Sequence, residues 1–277
     1  MSEIRVFPRR TSMTPTDPFA FVGDPPLWRP PADRVSVSCT FTWDKPEAER
    51  LAEAWRVYYS DVELGGPAYG SPVNGFTPGR FIRQGVTFTS RGCNNHCPWC
   101  LVPEREGPLR EILITPGHIV QDNNLLQCSQ EHQAAVFAML RAQRQAAVFS
   151  GGLDTRLVTD WTAGEFRRLR IKQVFLAADT DGALEPLRYA VQRLAFLGRE
   201  KLFCYALIGR ETLAQAELRL RAIWAMGCIP FAQLWQPPDK WINYDHAWRE
   251  LGRTWSRPAA MRTLMKGESN GLASKRN

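Results

Sequence analysis

The sequence predicts an α/β protein, a partial, TIM-like (β/α)6 barrel preceded by a small Rossmann-like α/β unit. Three observations carry this expectation. From about residue 83 onward, short β-branched or apolar runs alternate with longer stretches of helical spacing. Six such strand–helix units occur, which leaves the barrel open relative to a complete eight-unit one. Ahead of them, Val35–Trp43 and Asp61–Pro67 read as two strands joined by a helix, a parallel unit with a right-handed crossover. The expected organisation is a first unit over residues 1–78, a barrel over 79–260 and a flexible basic tail over 261–277.

Residues 1–34 are rich in proline and carry no period, so they read as an irregular arm. In the run from Val35 to Trp43, β-branched residues alternate with polar ones. Asp44 is placed to cap the next helix, with Pro46 in its first turn and Leu51, Ala54, Trp55 and Tyr58 at helical spacing. The expected barrel strands are Val86–Thr89, His118–Gln121, Ala147–Ser150, Gln173–Ala178, Leu202–Ile208 and Pro230–Trp235. Between them, Ser129 and Asp160 are candidate helix caps. Leu187, Val191, Leu194 and Leu197 mark a third helix, and Leu213, Ala216, Leu220 and Ile223 a fourth that starts at Glu211. The tryptophan-rich segment 236–260 reads as packing that closes the barrel. Lys266–Asn277 is small, polar and basic, and reads as a frayed end.

Composition narrows the class. No run of about 18 apolar residues occurs, so no membrane partner is expected. The N-terminus lacks the apolar core of a signal peptide. Of the seven cysteines, the four outside the 93–100 stretch sit singly in apolar contexts, which fits reduced thiols and a cytoplasmic location. The net charge of +7 permits a nucleotide or nucleic-acid partner without requiring one.

The most informative stretch is Cys93-Asn94-Asn95-His96-Cys97-Pro98-Trp99-Cys100, a C-x-x-x-C-x-x-C pattern just past the first barrel strand. Soft thiolates at short spacing bind iron–sulfur clusters or zinc. A four-iron cluster usually takes four cysteines, and this loop offers three.

With Trp99 as the aromatic before the last cysteine, the loop resembles the cluster loop of the radical S-adenosylmethionine superfamily. Thr89-Ser90-Arg91-Gly92 before it, and Leu101-Val102-Pro103 with Gly107 after it, resemble the branch associated with cobalamin-binding domains. The resemblance implies a 4Fe-4S cluster on Cys93, Cys97 and Cys100, with S-adenosyl-L-methionine on the fourth iron. It also implies an external electron donor of flavodoxin or ferredoxin type, and a 5′-deoxyadenosyl radical that abstracts hydrogen from a small-molecule, nucleotide or nucleic-acid substrate. The residue that exchanges hydrogen with that substrate is unassigned. The first unit resembles a shortened, vestigial form of the domain that precedes the barrel in that branch.

Further site residues follow from the same resemblance, each beside a plainer reading. Asp122 and Asn123, in an Asp-Asn-Asn departure from the usual Gly-Gly-Glu, are expected at the cofactor's amino group, or form an Asx-rich turn. Ser150, Gly151 and Gly152 allow close backbone approach, and Arg156 is expected to clamp the methionine carboxylate or to form a surface ion pair. Asp179 is expected at the ribose hydroxyls or as a helix cap. Ile208 and Gly209 are expected beside the adenine, although Gly209 also suits a tight turn, and Gln233 lies on the last strand among the inward-facing positions. His96 is expected near the cluster but not on it.

Arithmetic limits the subclass. Only Cys39 precedes the loop, so no second three-cysteine cluster forms in the first unit, and no cysteine follows Cys228. No histidine precedes His96, so the first unit offers cobalt no imidazole, which argues against cobalamin. The alternatives are a cobalamin-dependent methyltransferase of the same superfamily, or a non-catalytic zinc or iron–sulfur nucleic-acid-binding protein with His96 or Cys128 as fourth ligand. A thiol–disulfide enzyme using Cys97 and Cys100 leaves Cys93 unexplained.

Overall fold

A computed structural model describes residues 2–70, 76–237 and 240–274. It is an α/β protein built on two parallel sheets.

The first sheet holds β1 (Glu3–Phe7), β2 (Ala20–Val22), β3 (Arg34–Ser38) and β4 (Val62–Gly65), in the order β2-β1-β3-β4, all parallel. Helix α1 (Lys45–Arg56) is the crossover from β3 to β4. Leu51, Ala52 and Trp55 from its apolar face form one core with Ile4, Val6, Val35 and Val37. The first unit is therefore fuller than expected, because β1 and β2 lie in the stretch read as an irregular arm. Its prolines punctuate the connections and leave the short apolar runs free to pair. The strand expected to run to Trp43 stops at Ser38, and Thr42–Asp44 forms a turn of 3-10 helix. Asp44 makes no side-chain cap bond to α1 and instead pairs with Arg9, the cation that follows β1.

The second sheet begins at β5 (Val86–Thr87). A two-stranded antiparallel ladder of β6 (Ser90–Arg91) and β7 (Arg110–Glu111) then brackets the cysteine loop, which also carries the short helix α2 (Val102–Glu106). The sheet continues through β8 (Ile119–Val120), α3 (Gln130–Arg141), β9 (Ala147–Asp154), α4 (Asp160–Arg167) and β10 (Ile171–Ala177). It ends with α5 (Leu184–Arg193), β11 (Leu202–Ile208), α6 (Leu213–Ala225) and β12 (Ile229–Leu234). Its six strands lie in chain order, β5-β8-β9-β10-β11-β12, all parallel and with no reversal. Right-handed crossovers without a reversal put the helices on one face. Phe149, Val174, Leu176, Ala206 and Ile208 form one core with Phe137, Phe166, Leu187 and Leu220 from those helices. The opposite face carries a half-buried aromatic group, in which Phe175 stacks on Phe203 at 4.9 Å and on Tyr205 at 4.7 Å.

Local chemistry sets the helix starts. Ser129 accepts the His132 amide at the start of α3, as the sequence suggests. The cap of α4 is Thr159, in a capping box with Thr162, and Asp160 is the first helical residue. Thr212 and Gln215 form the same box for α6, so that helix starts after Glu211.

Helix α7 (His246–Thr254) and helix α8 (Pro258–Ser274) follow β12. The tail expected over 261–277 is helical through Ser274, with Met261 fully buried, and 275–277 lie outside the described residues. Of the late tryptophans, Trp255 is fully buried, whereas Trp241 is 60 % exposed and does not close the core. Among the described residues no helix is long and apolar enough to cross a membrane.

Candidate functional site

The cysteine loop leaves the sheet beyond β5 and is tied down from three sides. At its base, Gly92 has φ +77° and packs against the backbone of Gly107 and Pro108, and the Cys93 amide donates to the Gly107 carbonyl at 3.2 Å. Glu106 accepts from the Gly92 amide at 3.2 Å and from Asn123 Nδ2 at 2.8 Å, with Arg91 3.6 Å away. Asn123 therefore braces the loop. At the centre, Gln127 accepts the Asn94 amide at 2.9 Å and donates to Asn95 Oδ1 at 3.0 Å. At the far side, Asn95 Nδ2 donates to Asp154 at 3.0 Å.

The thiols differ in setting. Cys93 is 9 % exposed, Cys97 is half-buried and Cys100 is exposed. The Cys93 sulfur accepts from the Asn95 amide at 3.4 Å and from Asn124 Nδ2 at 3.9 Å, and the backbone amide of Val102 serves Cys100. Burial pushes the Cys97 thiol up, and the neighbouring Cys100 and Cys93 push it further, so the three groups feel one another. The donor set fits a thiophilic metal cluster in kind: soft sulfur atoms, served by N–H groups, on one loop. It is not closed, however. Among the described residues no three His, Cys, Asp or Glu side chains are disposed to hold a metal ion. His96 is exposed, and Cys128 is buried with its thiol pushed up to about 11.

The polar residues at the strand ends fall into two groups. Arg156, Asp179, Trp99 and Asn123 gather around the loop. Arg156 makes a two-pronged pair with Asp154 at 2.9 and 2.6 Å, and its positive charge reaches Cys97 and Cys93. Burial alone would raise the Asp154 carboxyl, but the bonds from Arg156 and Asn95 hold it below its ordinary value. Asp179 accepts the Leu207 amide at 2.9 Å and a bond from Trp99, while burial raises its carboxyl. It ties β10 to β11 and is not a helix cap. The Arg210 guanidinium lies 4.6 Å from the centre of the Trp99 ring and 5.5 Å from that of Trp235.

The second group is structural. Asp122 is 3 % exposed and saturated, accepting the Thr89 amide at 2.6 Å, the Thr89 hydroxyl, and the Ser90 hydroxyl at 2.9 Å. It is a tie between β8 and the base of the loop, not an open acceptor. Gly151 and Gly152 were expected past a strand that ends at Ser150, but β9 runs on to Asp154, so Ser150, Gly151 and Gly152 are all strand residues. Ser150 donates to Gln121 Oε1 at 2.6 Å. A side chain on Gly151 would collide with the Asp122 carbonyl, and Gly152 lies against the Tyr205 ring, so strand packing uses the glycine pair. The Ile208 side chain is fully buried in the helix-side core. Gly209, at φ +100°, leaves room for Tyr244, whose hydroxyl donates to the Trp235 carbonyl at 2.7 Å. These two residues leave only their backbone for a ligand. Gln233 is exposed on β12.

Sequence reasoning missed Gln127 and Asp154, and saw Asn124 only as part of the Asp-Asn-Asn stretch, not as a neighbour of Cys93. Asn124 is 3 % exposed, turns its amide toward Cys93, and its Oδ1 has no partner among the described residues. A buried acceptor without a donor is costly and marks a position where a bound group or water would be satisfied. No protein-family model matches the chain, and no curated protein matches it.

Proposed function

We propose that this chain is a radical S-adenosylmethionine enzyme, in which the six-stranded parallel sheet serves as a partial (β/α)6 barrel. The observation that carries the reading is the cysteine loop itself. It carries three thiols, with N–H donors to the Cys93 and Cys100 sulfurs, past the carboxyl ends of sequential parallel strands. Chemistry on such sheets sits at those ends.

Cys93, Cys97 and Cys100 would hold a 4Fe-4S cluster, leaving one iron for S-adenosyl-L-methionine. When bound and reduced by an external donor, the cluster would supply one electron to the sulfonium, releasing methionine and a 5′-deoxyadenosyl radical for hydrogen abstraction. The chain's own residues do the rest. Gln127, Glu106 and Asn123 order the loop, and the Asn95, Asn124 and Val102 N–H groups serve the sulfurs. Arg156, oriented by Asp154, offers a cation for a carboxylate beside Cys97. Asp179 and Trp99 form the opposite wall. The first unit, whose 40–43 segment lines a cleft with Leu101 and Arg105, would help to keep water from a radical.

The test is iron and sulfide per chain after anaerobic reconstitution. The wild type is expected to hold about four of each. Cys93→Ala, Cys97→Ala and Cys100→Ala should lose them, while Cys128→Ala, Cys204→Ala and Cys228→Ala keep them. A full cluster in Cys97→Ala overturns the assignment.

One observation favours a second reading. The first unit is a four-stranded parallel sheet whose order reverses between β1 and β3, and such a switch point is where α/β sheets bind ligands. In a cobalamin-dependent methyltransferase it would hold the corrinoid. Tight cobalamin binding, with S-adenosylhomocysteine formed only in its presence, would establish that reading. The zinc reading is disfavoured, because a closed structural site needs four ligands and neither exposed His96 nor buried, protonated Cys128 joins the loop thiols.

A further inference from the structure

We propose that the cleft where the two units meet binds a nucleotide, with its base against an aromatic platform and its phosphate on Arg105 and Lys240. As a binding site the cleft stands alone; as the substrate's site it rests on the function proposed above.

The cleft is a cavity of about 360 Å³ whose lining includes Phe41, Trp43, Leu101, Arg105, Gln236 and Trp241. It lies past the carboxyl end of β3 on one side and past that of β12 on the other. Leu101 follows Cys100 directly, so the cleft opens beside the cysteine loop.

Its aromatic wall is assembled from both units. Phe41 and Trp43 stack at 4.8 Å with an interplanar angle of 11°, and Trp241 meets Trp43 edge-on at 5.4 Å. Trp43 stacks one face on Phe41 yet is 48 % exposed, and Trp241 is 60 % exposed, so both rings keep accessible surface in the cleft. Contiguous exposed aromatic surface rimmed by polar residues marks an interaction or ligand site. Gln236 pins the Trp241 segment by exchanging two bonds with the Ile242 backbone, at 3.0 and 2.8 Å. The backbone next to the ring is therefore fixed at Ile242.

Among the described lining residues the charge has one sign. Arg105 and Lys240 line the cleft, neither forms an ion pair among the described residues, and no described carboxylate lines it. Flat π-surfaces beside unpaired cations are the recognition chemistry of a stacked base and its phosphate. The volume suits a single nucleotide unit. Such a unit arrives either as a free nucleotide or as one residue of a single strand.

The experiment titrates the full chain, without a reconstituted cluster, by calorimetry and tryptophan fluorescence. The probes are thymidine 5′-monophosphate and a single-stranded oligothymidylate, with thymidine and inorganic phosphate as part-ligands. A pyrimidine probe avoids the site proposed for the adenosyl cofactor. Thymidine monophosphate should bind with quenched fluorescence, and each part-ligand should bind more weakly. Trp43→Ala and Trp241→Ala should each weaken binding about tenfold, and Trp241→Phe should restore it. Arg105→Gln and Lys240→Gln should weaken binding and flatten its salt dependence. Equal affinity for both probes identifies a free nucleotide, and much tighter binding of the oligomer identifies a strand; either supports the site. No saturable binding of either probe at millimolar concentration overturns it, as does wild-type affinity in both tryptophan variants. Binding without cluster assembly in reconstituted chain would leave the cleft standing and remove the radical function. The converse result would do the opposite.

Discussion

Replacing Asp122 by alanine tests whether this carboxylate ties the fold or serves a ligand. In the tie, its two oxygens receive the Thr89 amide, the Thr89 hydroxyl and the Ser90 hydroxyl, and both donor residues are fully buried. Alanine orphans all three. The two hydroxyls can rotate toward other acceptors, but the amide cannot. An unsatisfied buried donor costs about 1–3 kcal/mol, so one to two effective orphans cost roughly 2–4 kcal/mol. In a chain of this size that lowers the thermal midpoint by about 4–12 °C. Asparagine keeps an acceptor for the Thr89 amide and should cost less than half as much. Burial raises the Asp122 carboxyl above its ordinary value, against the hydrogen bonds from Thr89 and Ser90. The stability linked to its proton is thus complete below the ordinary carboxyl value and is lost as pH rises through the raised folded value. The wild type loses that increment on going up in pH and Asp122→Asn does not, so the gap between them should narrow. Thermal unfolding by circular dichroism across pH 4–8 reads all of this. An Asp122→Ala chain that melts within about 2 °C of wild type but no longer binds S-adenosyl-L-methionine would refute the tie.

Three further outcomes follow from the same structure. Gly151→Ala drives a methyl into the Asp122 carbonyl, so β8 and β9 must separate, and the variant should lose at least about 2 kcal/mol in urea unfolding or fail to accumulate. Gln127→Ala removes the clasp on Asn94 and Asn95, and should speed alkylation of Cys93 several-fold with little change in melting, while fully buried Cys204 and Cys228 stay slow. Asp154 is held below the ordinary carboxyl value, so its contribution is present above that value and is lost as pH falls through the depressed one; Asp154→Asn should be less stable at pH 7 and should flatten this acid limb.

The α/β class was legible because alternation and helical spacing are local signals. The cysteine loop was legible from spacing alone, and its position past a strand followed from the lead-in glycine. The strands β1 and β2 were hidden by prolines that only punctuate their ends. Asp44 looks like a cap in sequence, but Arg9, distant in the chain, takes its carboxylate. Asp122 looked like a ligand receiver because its partners are 32 and 33 residues away. The glycine pair looked like a loop because the close approach of the Asp122 carbonyl, which demands glycine in a strand, is a tertiary fact. Gln127 belongs to no spacing pattern, Asn124 was visible only as the last residue of the Asp-Asn-Asn stretch, and only folding brings their amides to Asn94, Asn95 and Cys93. Trp241 was read as core from a tryptophan-rich context, and its exposure depends on the segment that Gln236 holds.

Three loop thiols that support reductive cleavage of S-adenosyl-L-methionine make the chain release the products of that cleavage. The anaerobically reconstituted chain is reduced with dithionite, mixed with S-adenosyl-L-methionine, and followed by mass spectrometry. 5′-Deoxyadenosine and methionine are expected from the wild type, independent of cobalamin, and neither from Cys97→Ala. A reconstituted wild type that carries its iron but releases no 5′-deoxyadenosine, or a Cys97→Ala chain that releases it at the wild-type rate, would overturn the radical function.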